Sequence, residues 1–354
     1  MTHSNLSIEA FVKLGKFLSK FCDLIETNTI SDHLNDKWIA LFKTEIERAK
    51  HYNGWFTEEN CIHAFKEWSI ALTKENLDAW LEQYDLNANS EKVVALIMAG
   101  NIPLVGFHDL LCVLITGNKA LVKLSSNDQK LIPLIIEYLK EIEPYFVDRV
   151  SFTKEKLGHY DAVIATGSNN TARYFEYYFG KKPNIIRKNR NSVAVLKGDE
   201  TTEDLTALGE DIFRYFGLGC RSVSKIYIPK SYNIDTFFKA IFPYNDIVNH
   251  NKYANNYDYN KAVYLMSEFK ILDNGFLILK EEESFGSPIA SLFYEYYEDT
   301  DALKTKLKKE EDKIQCIVAS GFIENEVLFG ETQKPSLNDY ADGVDTIEFL
   351  LRTS

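Results

Sequence analysis

Residues 93–98 read Val-Val-Ala-Leu-Ile-Met, and this short apolar run sets the pattern for most of the chain. A run of this length, bounded by polar and turn residues, is typical of a buried β-strand. Similar runs recur at Ala120–Leu124, near Val150, at Asp161–Ala165 and at Ser192–Leu196. Helical patterns separate them near Phe107–Ile115, Gln129–Ile142 and Asn170–Phe179. The alternation predicts a doubly wound parallel sheet, in which ligands bind at the carboxyl ends of the strands.

The length of the chain and the patterns before and after these strands predict a helical N-terminal region and two α/β domains. Residues 1–90 carry apolar positions three and four apart, which indicates a helical N-terminal region. We predict a first α/β domain at 91–198, a second at 199–325 and a C-terminal segment at 326–354, because 354 residues exceed the usual size of one core. The Asn- and Tyr-rich stretch Asn249–Tyr264 is interpreted as a surface insertion.

Composition and charge exclude several classes of protein. With 45% hydrophobic and 26% charged residues, the chain is typical of a folded globular protein. A net charge of -12 argues against a nucleic-acid partner, which would require a surplus of lysine and arginine. The apolar stretch Val93–Ile115 is interrupted by Asn101, Pro103, His108 and Asp109, so we predict no membrane span. No signal peptide is expected at the start of the chain.

The five cysteines are odd in number and form no Cys-x-x-Cys pair, which predicts free thiols in a reducing cytoplasm. Cys112 and Cys316 lie in apolar runs and are expected to be inert core residues. The pair Cys61 and His63 has the closest spacing to a metal-ligand motif, but it fits one turn of an ordinary helix better. We therefore predict no metal site.

Cys220 is the cysteine with the most informative surroundings. It lies in the segment Gly-Leu-Gly-Cys-Arg at 217–221, between an amphipathic helix and a strand. A thiol in a glycine-flanked turn can meet a substrate, and nearby positive charge from Arg221 or Lys225 would favour its thiolate. The helix before it is predicted to start at Thr201, which stands three residues before Asp204 as in a capping box. Taken alone, the segment could equally be a tight turn.

Four further motifs stand in order along the chain. They are Asn101-Ile102-Pro103, Lys123-Leu124-Ser125-Ser126, Thr166-Gly167-Ser168 and Glu283-Ser284-Phe285-Gly286. Singly, each has a structural explanation: an asparagine that caps a turn, a lysine at a strand end, a serine N-cap and a glutamate on a solvated face. A glycine and a small hydroxyl at a helix N-terminus also suit a phosphate group.

Together with Cys220, these motifs resemble the aldehyde dehydrogenase superfamily, in particular its acyl-CoA reductase branch of the LuxC type, from Val93 onward. The resemblance implies an aldehyde dehydrogenase-like fold with an NAD(P)-binding domain followed by a catalytic domain. It implies Cys220 as the nucleophile and the amide of Asn101 as an oxyanion donor. The cofactor-binding residues that it implies are Lys123, Ser125 and Ser126 near the adenosine ribose, Thr166, Gly167 and Ser168 near the pyrophosphate, and Glu283 and Phe285 near the nicotinamide ribose.

Two departures from the family pattern bear on the reaction. Ser126 stands where members that prefer NAD carry a glutamate, which predicts NADPH as the cofactor, with NADH as the alternative. Arg187 stands where members that hydrolyse their thioester carry a glutamate base, so no base for water is expected there. Arg187, Lys188 and Arg190 are interpreted either as contacts to CoA phosphates or as a strand edge that faces solvent.

The resemblance therefore predicts NADPH-dependent reduction of an acyl thioester to an aldehyde through an acyl-cysteine. The substrate would be an acyl-CoA or an acyl-carrier-protein thioester. An oxidative or CoA-acylating aldehyde dehydrogenase and a non-catalytic cofactor-binding scaffold are the alternatives. The resemblance also implies a homo-oligomer assembled through a C-terminal strand, for which the apolar stretch 342–351 is the candidate.

Overall fold

A computed structural model describes residues 3–86 and 89–353. The chain divides into two compact units: the first unit is Met1–Lys188 with Ser336–Ser354, and the second unit is Asn189–Pro335. The helical N-terminal residues thus belong to the same unit as the first sheet, and the last residues of the chain return to it. The predicted boundary between the α/β domains was 198, whereas the second unit begins at Asn189.

The first unit opens with four helices: α1 (His3–Glu26), α2 (Lys37–Tyr52), α3 (Glu58–Ala71) and α4 (Lys74–Leu81). The side chains of Asp36, Thr57 and Thr73 accept hydrogen bonds from backbone N–H groups of the first turns of α2, α3 and α4. On α1, Phe11, Leu14, Leu18 and Phe21 are buried, as their spacing of three and four predicts. The predicted helical region is confirmed.

A five-stranded parallel sheet follows, in the order β3-β2-β1-β4-β5. Its strands are β1 (Val93–Ile97), β2 (Lys119–Lys123), β3 (Val150–Phe152), β4 (Ala162–Thr166) and β5 (Asn184–Arg187). The helices between them are α5 (Phe107–Ile115), α6 (Leu131–Ile142) and α7 (Asn169–Phe179). The chain builds one side of β1 first and then continues on the other side, which confirms the doubly wound prediction.

The second unit carries a six-stranded sheet in the order β11-β6-β7-β10-β9-β8. Its strands are β6 (Asn191–Val195), β7 (Val223–Pro229), β8 (Ile271–Asp273), β9 (Ile278–Glu281), β10 (Ser291–Tyr297) and β11 (Ile314–Val318). Its helices are α8 (Thr202–Phe213), α9 (Ile234–Ala240), α10 (Asn251–Met266) and α11 (Thr300–Lys309). All pairings are parallel except that of β8 with β9. The strand at 191–195, predicted for the first domain, lies in this sheet.

The stretch interpreted as a surface insertion is instead α10, and that interpretation was wrong. Tyr253, Tyr257, Asn260 and Tyr264 recur every three or four residues, and all four are buried. Three of them find hydrogen-bond partners inside the unit: Tyr253 Oη donates to the carbonyl of Phe276 at 2.9 Å, Tyr257 Oη to Asp273 Oδ1 at 2.6 Å and Asn260 Nδ2 to the carbonyl of Ile289 at 2.9 Å. A tyrosine-rich helix face can therefore form core, although its composition suggests a polar surface.

After the second unit, the chain ends on α12 (Thr346–Arg352) in the first unit. Asp345 caps this helix by accepting from Glu348 N at 2.8 Å, and Ile347 and Leu350 are buried in the core that also contains α5. Two buried residues three apart fit a helix and not a strand. The prediction of a C-terminal strand at 342–351 was wrong, because its apolar residues complete this core.

Candidate active site

The loop that carries Cys220 has an unusual backbone. After α8, Tyr215 and Phe216 adopt left-handed conformations, with φ of 55° and 58°, and Gly217 follows with φ of 74°. Only the glycine adopts this region without cost, whereas bulky residues there are strained by roughly 1–2 kcal/mol each. Both aromatic side chains are buried, so core packing holds the backbone in this form. The strained turn places Cys220 just before β7.

Cys220 differs from the other four cysteines in its exposure. Cys22, Cys61, Cys112 and Cys316 are buried, whereas Cys220 is half-buried. Burial raises the pKa of Cys22 to about 12 and raises the pKa of Cys61 and Cys112 as well. A thiolate is the reactive form of cysteine, so these three thiols are poor nucleophiles. All five cysteines lie in the described part of the chain, and Cys220 is the one among them that is not buried.

Hydrogen bonds fix the turn around Cys220 on both sides. The hydroxyl of Ser192, on β6, donates to the carbonyl oxygen of Cys220 at 3.0 Å, and Ser222 N donates to the carbonyl of Gly219 at 3.0 Å. Arg221 Nε donates to the carbonyl of Thr332 at 2.5 Å. The backbone of the turn around Cys220 is thereby tied to the neighbouring strand and to the loop before residue 336.

The loop that receives Arg221 is itself held by α8. Asp211 is fully buried and accepts from Gly330 N at 2.7 Å and from Thr332 N at 3.0 Å. Burial raises the pKa of Asp211 to about 6, although these backbone N–H groups act in the opposite direction. Neither Asp211 nor Thr332 was singled out in the sequence, because the contact joins residues far apart in the chain.

Lys225, predicted as a possible source of charge for the thiolate, has other partners. It is fully buried on β7, and its Nζ donates to the carbonyl of Glu283 at 2.8 Å and to Glu295 Oε2 at 2.7 Å. Next to it, Ser224 Oγ donates to the carbonyl of Phe285 at 2.7 Å. The Glu283–Phe285 motif, which follows β9, is thus attached to the same strand that follows Cys220.

A cavity of about 240 Å³ adjoins the turn around Cys220 within the second unit. Gly219, Ser222 and Ser224 line it from the turn and from β7, and residues 287–291 line it from the segment after the Glu283 motif. Apolar side chains also line it, including Ile212, Phe216 and Tyr253. The turn therefore borders a space with both polar and apolar walls.

Three of the predicted motifs meet at one edge of the first sheet. Asn101 follows β1, Lys123 ends β2 and Thr166 ends β4. In the register of the sheet, Ile97 on β1 is opposite Lys123 on one side and Ala165 on the other. The carboxyl ends of β1, β2 and β4 therefore lie side by side. β1 is between the other two, at the point where the order of the strands reverses. Dinucleotides bind at such an edge in doubly wound sheets.

Close packing constrains the backbone at this edge. A Cβ atom at Gly100 would lie 2.7 Å from the Cβ of Ser125, so the Ser125 side chain packs directly against the backbone of the loop before Asn101. A Cβ at Gly167 would lie 3.0 Å from the ring of Phe175. Ser168 caps α7 by accepting from Thr171 N at 3.3 Å, as predicted. Lys123 Nζ donates to the carbonyl of Glu155 at 3.1 Å, and Ser126 is exposed.

Arg187 does not lie on a solvent-facing edge, and that interpretation was wrong for this residue. It is 5% exposed, its Nη1 pairs with Asp109 Oδ2 and its Nη2 donates to Thr346 Oγ1 at 3.0 Å. A guanidinium in this position joins β5, α5 and α12. Lys188 is exposed and pairs with Glu176 at 2.9 Å. Arg190 Nη1 lies 3.4 Å from the carbonyl of Ile314.

Two features are absent from the described residues. Neither 3–86 nor 89–353 contains three or more His, Cys, Asp or Glu side chains grouped to hold a metal ion. In the same residues, no helix combines the length and the apolar character that crossing a bilayer requires.

Solved structures with the same arrangement are aldehyde dehydrogenases, which defines the fold. An aldehyde dehydrogenase from Physcomitrella patens in complex with succinate is 12% identical, with a TM-score of 0.62 over 99% of this chain and 89% of that one. A putative aldehyde dehydrogenase from Anabaena variabilis is 12% identical, with a TM-score of 0.60 over 94% of this chain and 81% of that one. An indole-3-acetaldehyde dehydrogenase from P. syringae, in complex with NAD+, is 13% identical, with a TM-score of 0.55 over 91% and 75%.

The sequence narrows this class to one family. The sequence profile of the acyl-CoA reductase (LuxC) family matches residues 31–241, and the chain belongs to that family. The long-chain acyl-protein thioester reductase of Aliivibrio fischeri is 24% identical in an alignment of 230 positions, with 58% of this chain and 47% of that protein covered. The chain thus spans about half the length of this curated relative. The resemblance inferred from the motifs is confirmed.

Proposed function

We propose that the protein reduces an acyl thioester to an aldehyde through an acyl-cysteine at Cys220, with NADPH as the reductant. The observation that carries the proposal is that the one cysteine of the described residues that is not buried lies on a strained, hydrogen-bonded turn. Membership of the acyl-CoA reductase family supports the same reaction.

The chemistry divides into two half-reactions. In the first, the Cys220 thiolate attacks the thioester carbonyl, and the carbon–sulfur bond to the departing thiol breaks. The backbone N–H of Cys220 and the amide of Asn101 are the donors that we assign to the oxyanion. The nicotinamide supplies a hydride to the thioester carbon when it is bound. In the second half-reaction, the resulting thiohemiacetal releases the aldehyde, and Cys220 returns to the thiolate.

The residues at the edge of the first sheet fit a nicotinamide dinucleotide. The N-terminus of α7 presents Gly167, which has no side chain, and Ser168 at the point where a pyrophosphate would meet backbone N–H groups. Lys123 ends the neighbouring strand, and the exposed Ser126 offers no carboxylate to repel a 2′-phosphate. We assign Lys123, Ser125 and Ser126 to the adenosine ribose side, with preference for NADPH over NADH.

The surroundings of Arg187 favour reduction over hydrolysis. A guanidinium stays protonated and cannot take a proton from water. Arg187 is paired with Asp109 and Thr346, which removes it from the role of base. An acyl-cysteine without a water-activating base at this position persists long enough to accept a hydride.

The acyl donor is a CoA or a carrier-protein thioester. The relative from Aliivibrio fischeri is described as a long-chain acyl-protein thioester reductase, which supports a long acyl chain and a protein as donor. The homo-oligomer and the cytoplasmic location stay predictions.

The test is intact-protein mass spectrometry after mixing with tetradecanoyl-CoA or with tetradecanoyl carrier protein. We expect an acyl adduct on the wild type and on Cys316→Ala, which removes a buried thiol of the same unit, and none on Cys220→Ala. Addition of NADPH should discharge the adduct as aldehyde. Discharge as free acid would indicate a hydrolytic aldehyde dehydrogenase, and NADPH binding without any adduct would indicate a scaffold.

A further inference from the structure

Lys225 is a charged residue with no exposure to solvent. It lies on β7, and its ammonium donates to the carbonyl oxygen of Glu283 at 2.8 Å and to the carboxylate of Glu295 at 2.7 Å. Burial of an ammonium is strongly unfavourable unless an opposite charge and hydrogen bonds compensate. The first of its partners belongs to the motif assigned to the nicotinamide ribose.

The charge of Lys225 is compensated from the next strand. Glu295, on β10, accepts from Lys225 and also pairs with Lys306 of α11. Burial lowers the pKa of Lys225, while Glu295 acts to raise it. Burial raises the pKa of Glu295, but the hydrogen bonds from the two lysines outweigh it, so its pKa is lowered. Glu295 therefore stabilises the ammonium, whereas Glu283 takes part only through its backbone carbonyl.

The same motif is held at a second and a third point. The ammonium of Lys225 lies 5.4 Å from the ring centroid of Phe285, within the range of a cation–π contact. The hydroxyl of Ser224 donates to the carbonyl of Phe285 at 2.7 Å. Ser224 Oγ is also 3.4 Å from the carbonyl of Ser192, the residue that bonds Cys220. Side chains of β6 and β7 thus fix both the nucleophile turn and the Glu283–Phe285 segment.

We propose that Lys225 is a positioning residue, which sets the backbone of the Glu283–Phe285 segment for the nicotinamide half of the cofactor. This proposal rests on the proposed function and deepens it. The side chain of Glu283 is exposed and can reach a ribose only from a backbone that is fixed. A hydrogen bond from a charged donor to the carbonyl at that residue is the direct means of fixing it. Because Lys225 is fully buried, this role requires no contact between its side chain and substrate or cofactor.

The experiment compares Lys225→Met with two matched variants. Lys230→Met removes a lysine that pairs with Glu298 beyond the ends of the same two strands, with both side chains 68% exposed. Glu295→Gln removes the ion pair with Lys225 but leaves the Lys225 side chain, whether charged or neutral, able to donate to the Glu283 carbonyl. Thermal unfolding of each variant measures the structural cost, and fluorescence titration with NADPH measures cofactor binding without any acyl donor.

We expect Lys225→Met to raise the Kd for NADPH about tenfold, as loss of one charge-assisted hydrogen bond predicts. In a single turnover, its acyl adduct should be discharged by NADPH about a hundredfold more slowly, while the rate of adduct formation stays within about twofold of the wild type. Glu295→Gln should lower the unfolding temperature and leave the Kd for NADPH unchanged. Lys230→Met should change neither quantity.

An unchanged Kd for NADPH in folded Lys225→Met would overturn the proposal. A rise in this Kd that follows the loss of thermal stability equally in Lys225→Met and Glu295→Gln would overturn it as well. If Lys225→Met does not fold, Ser224→Ala replaces it, because it removes the hydroxyl that donates to the Phe285 carbonyl at 2.7 Å, and the Kd for NADPH should again rise. The titration with NADPH tests the role of Lys225 even if the wild type forms no acyl adduct. A missing adduct would refute the proposed function but not the positioning role of Lys225.

Discussion

Asp109 and Arg187 form an ion pair inside the first unit, with both side chains less than a tenth exposed. The pair joins α5 to the last residue of β5, and Thr346 at the start of α12 accepts from the same guanidinium at 3.0 Å. Arg187 is next to the point where the chain leaves the first unit. The pair therefore links three elements that are far apart in sequence.

Removal of one member of this pair should be costly, because the other charge is left buried. We expect Arg187→Met to lower the free energy of unfolding by about 3–5 kcal/mol, measured by urea unfolding. The double variant Arg187→Met/Asp109→Leu removes both charges and should recover a large part of that loss. A double variant as unstable as the single one would contradict this account.

Arg187→Glu tests whether position 187 can be converted to a base. The new carboxylate would lie against Asp109, where like charges repel. We expect a destabilised protein that releases no free acid from the acyl-cysteine, measured by chromatography of the products. Release of acid at the rate of aldehyde formation would show that the position faces the thioester.

Asn101→Ala tests the proposed oxyanion donor. Loss of one donor should lower kcat by about 10²–10³ with little change in the Kd for NADPH, because the amide acts on the transition state. Steady-state kinetics and fluorescence titration give the two quantities. A variant that loses cofactor binding and keeps kcat would place Asn101 in the cofactor site.

Ser126→Glu tests the basis of the cofactor preference. A carboxylate at this exposed position would repel a 2′-phosphate and accept from a ribose hydroxyl, so the ratio of the Kd for NADPH to that for NADH should rise about tenfold or more. Ser126→Ala is the control and should leave the ratio near that of the wild type. An unchanged ratio in Ser126→Glu would place this residue away from the ribose.

Asp211 predicts a pH dependence of stability. The pKa of Asp211 is about 6 in the folded protein, whereas the ordinary value, which applies to the unfolded chain, is 3.8. Between these two pH values the folded protein therefore binds a proton that the unfolded chain does not. Acidification from about pH 7 to about pH 5 should therefore stabilise the wild type relative to Asp211→Asn by about 1 kcal/mol. Urea unfolding of both proteins across this range measures the difference. A difference that shrinks on acidification would contradict the assignment.

Short-range signals made much of the fold predictable. The apolar runs gave the first sheet, and the Thr201 capping box is present as expected, with Asp204 bonded back to Thr201. The glycine-flanked turn identified the one cysteine that is not buried. Such features depend on neighbours in the sequence, so a single chain is sufficient to detect them.

Contacts between distant residues could not be predicted in the same way. Thr332 meets Asp211 across 121 residues, and Lys225 meets Glu295 across 70. Neither pair has a local pattern that favours it over other pairs. Arg187 was misplaced for the same reason, since its partner Asp109 is on another element. The tyrosine face of α10 shows that composition alone misjudges burial when hydroxyls find partners inside.

The first unit is built from two separate stretches of chain, with the second unit inserted between them. Leu337, Tyr340, Ile347 and Leu350 fill the core beside α5, and they are translated after every residue of the second unit. During synthesis on the ribosome, the second unit can therefore fold before the first unit is complete. Until residues 337–350 have been synthesised, an apolar face of α5 stays uncovered. Nascent chains that stop before residue 337 would therefore be the form that most needs a chaperone.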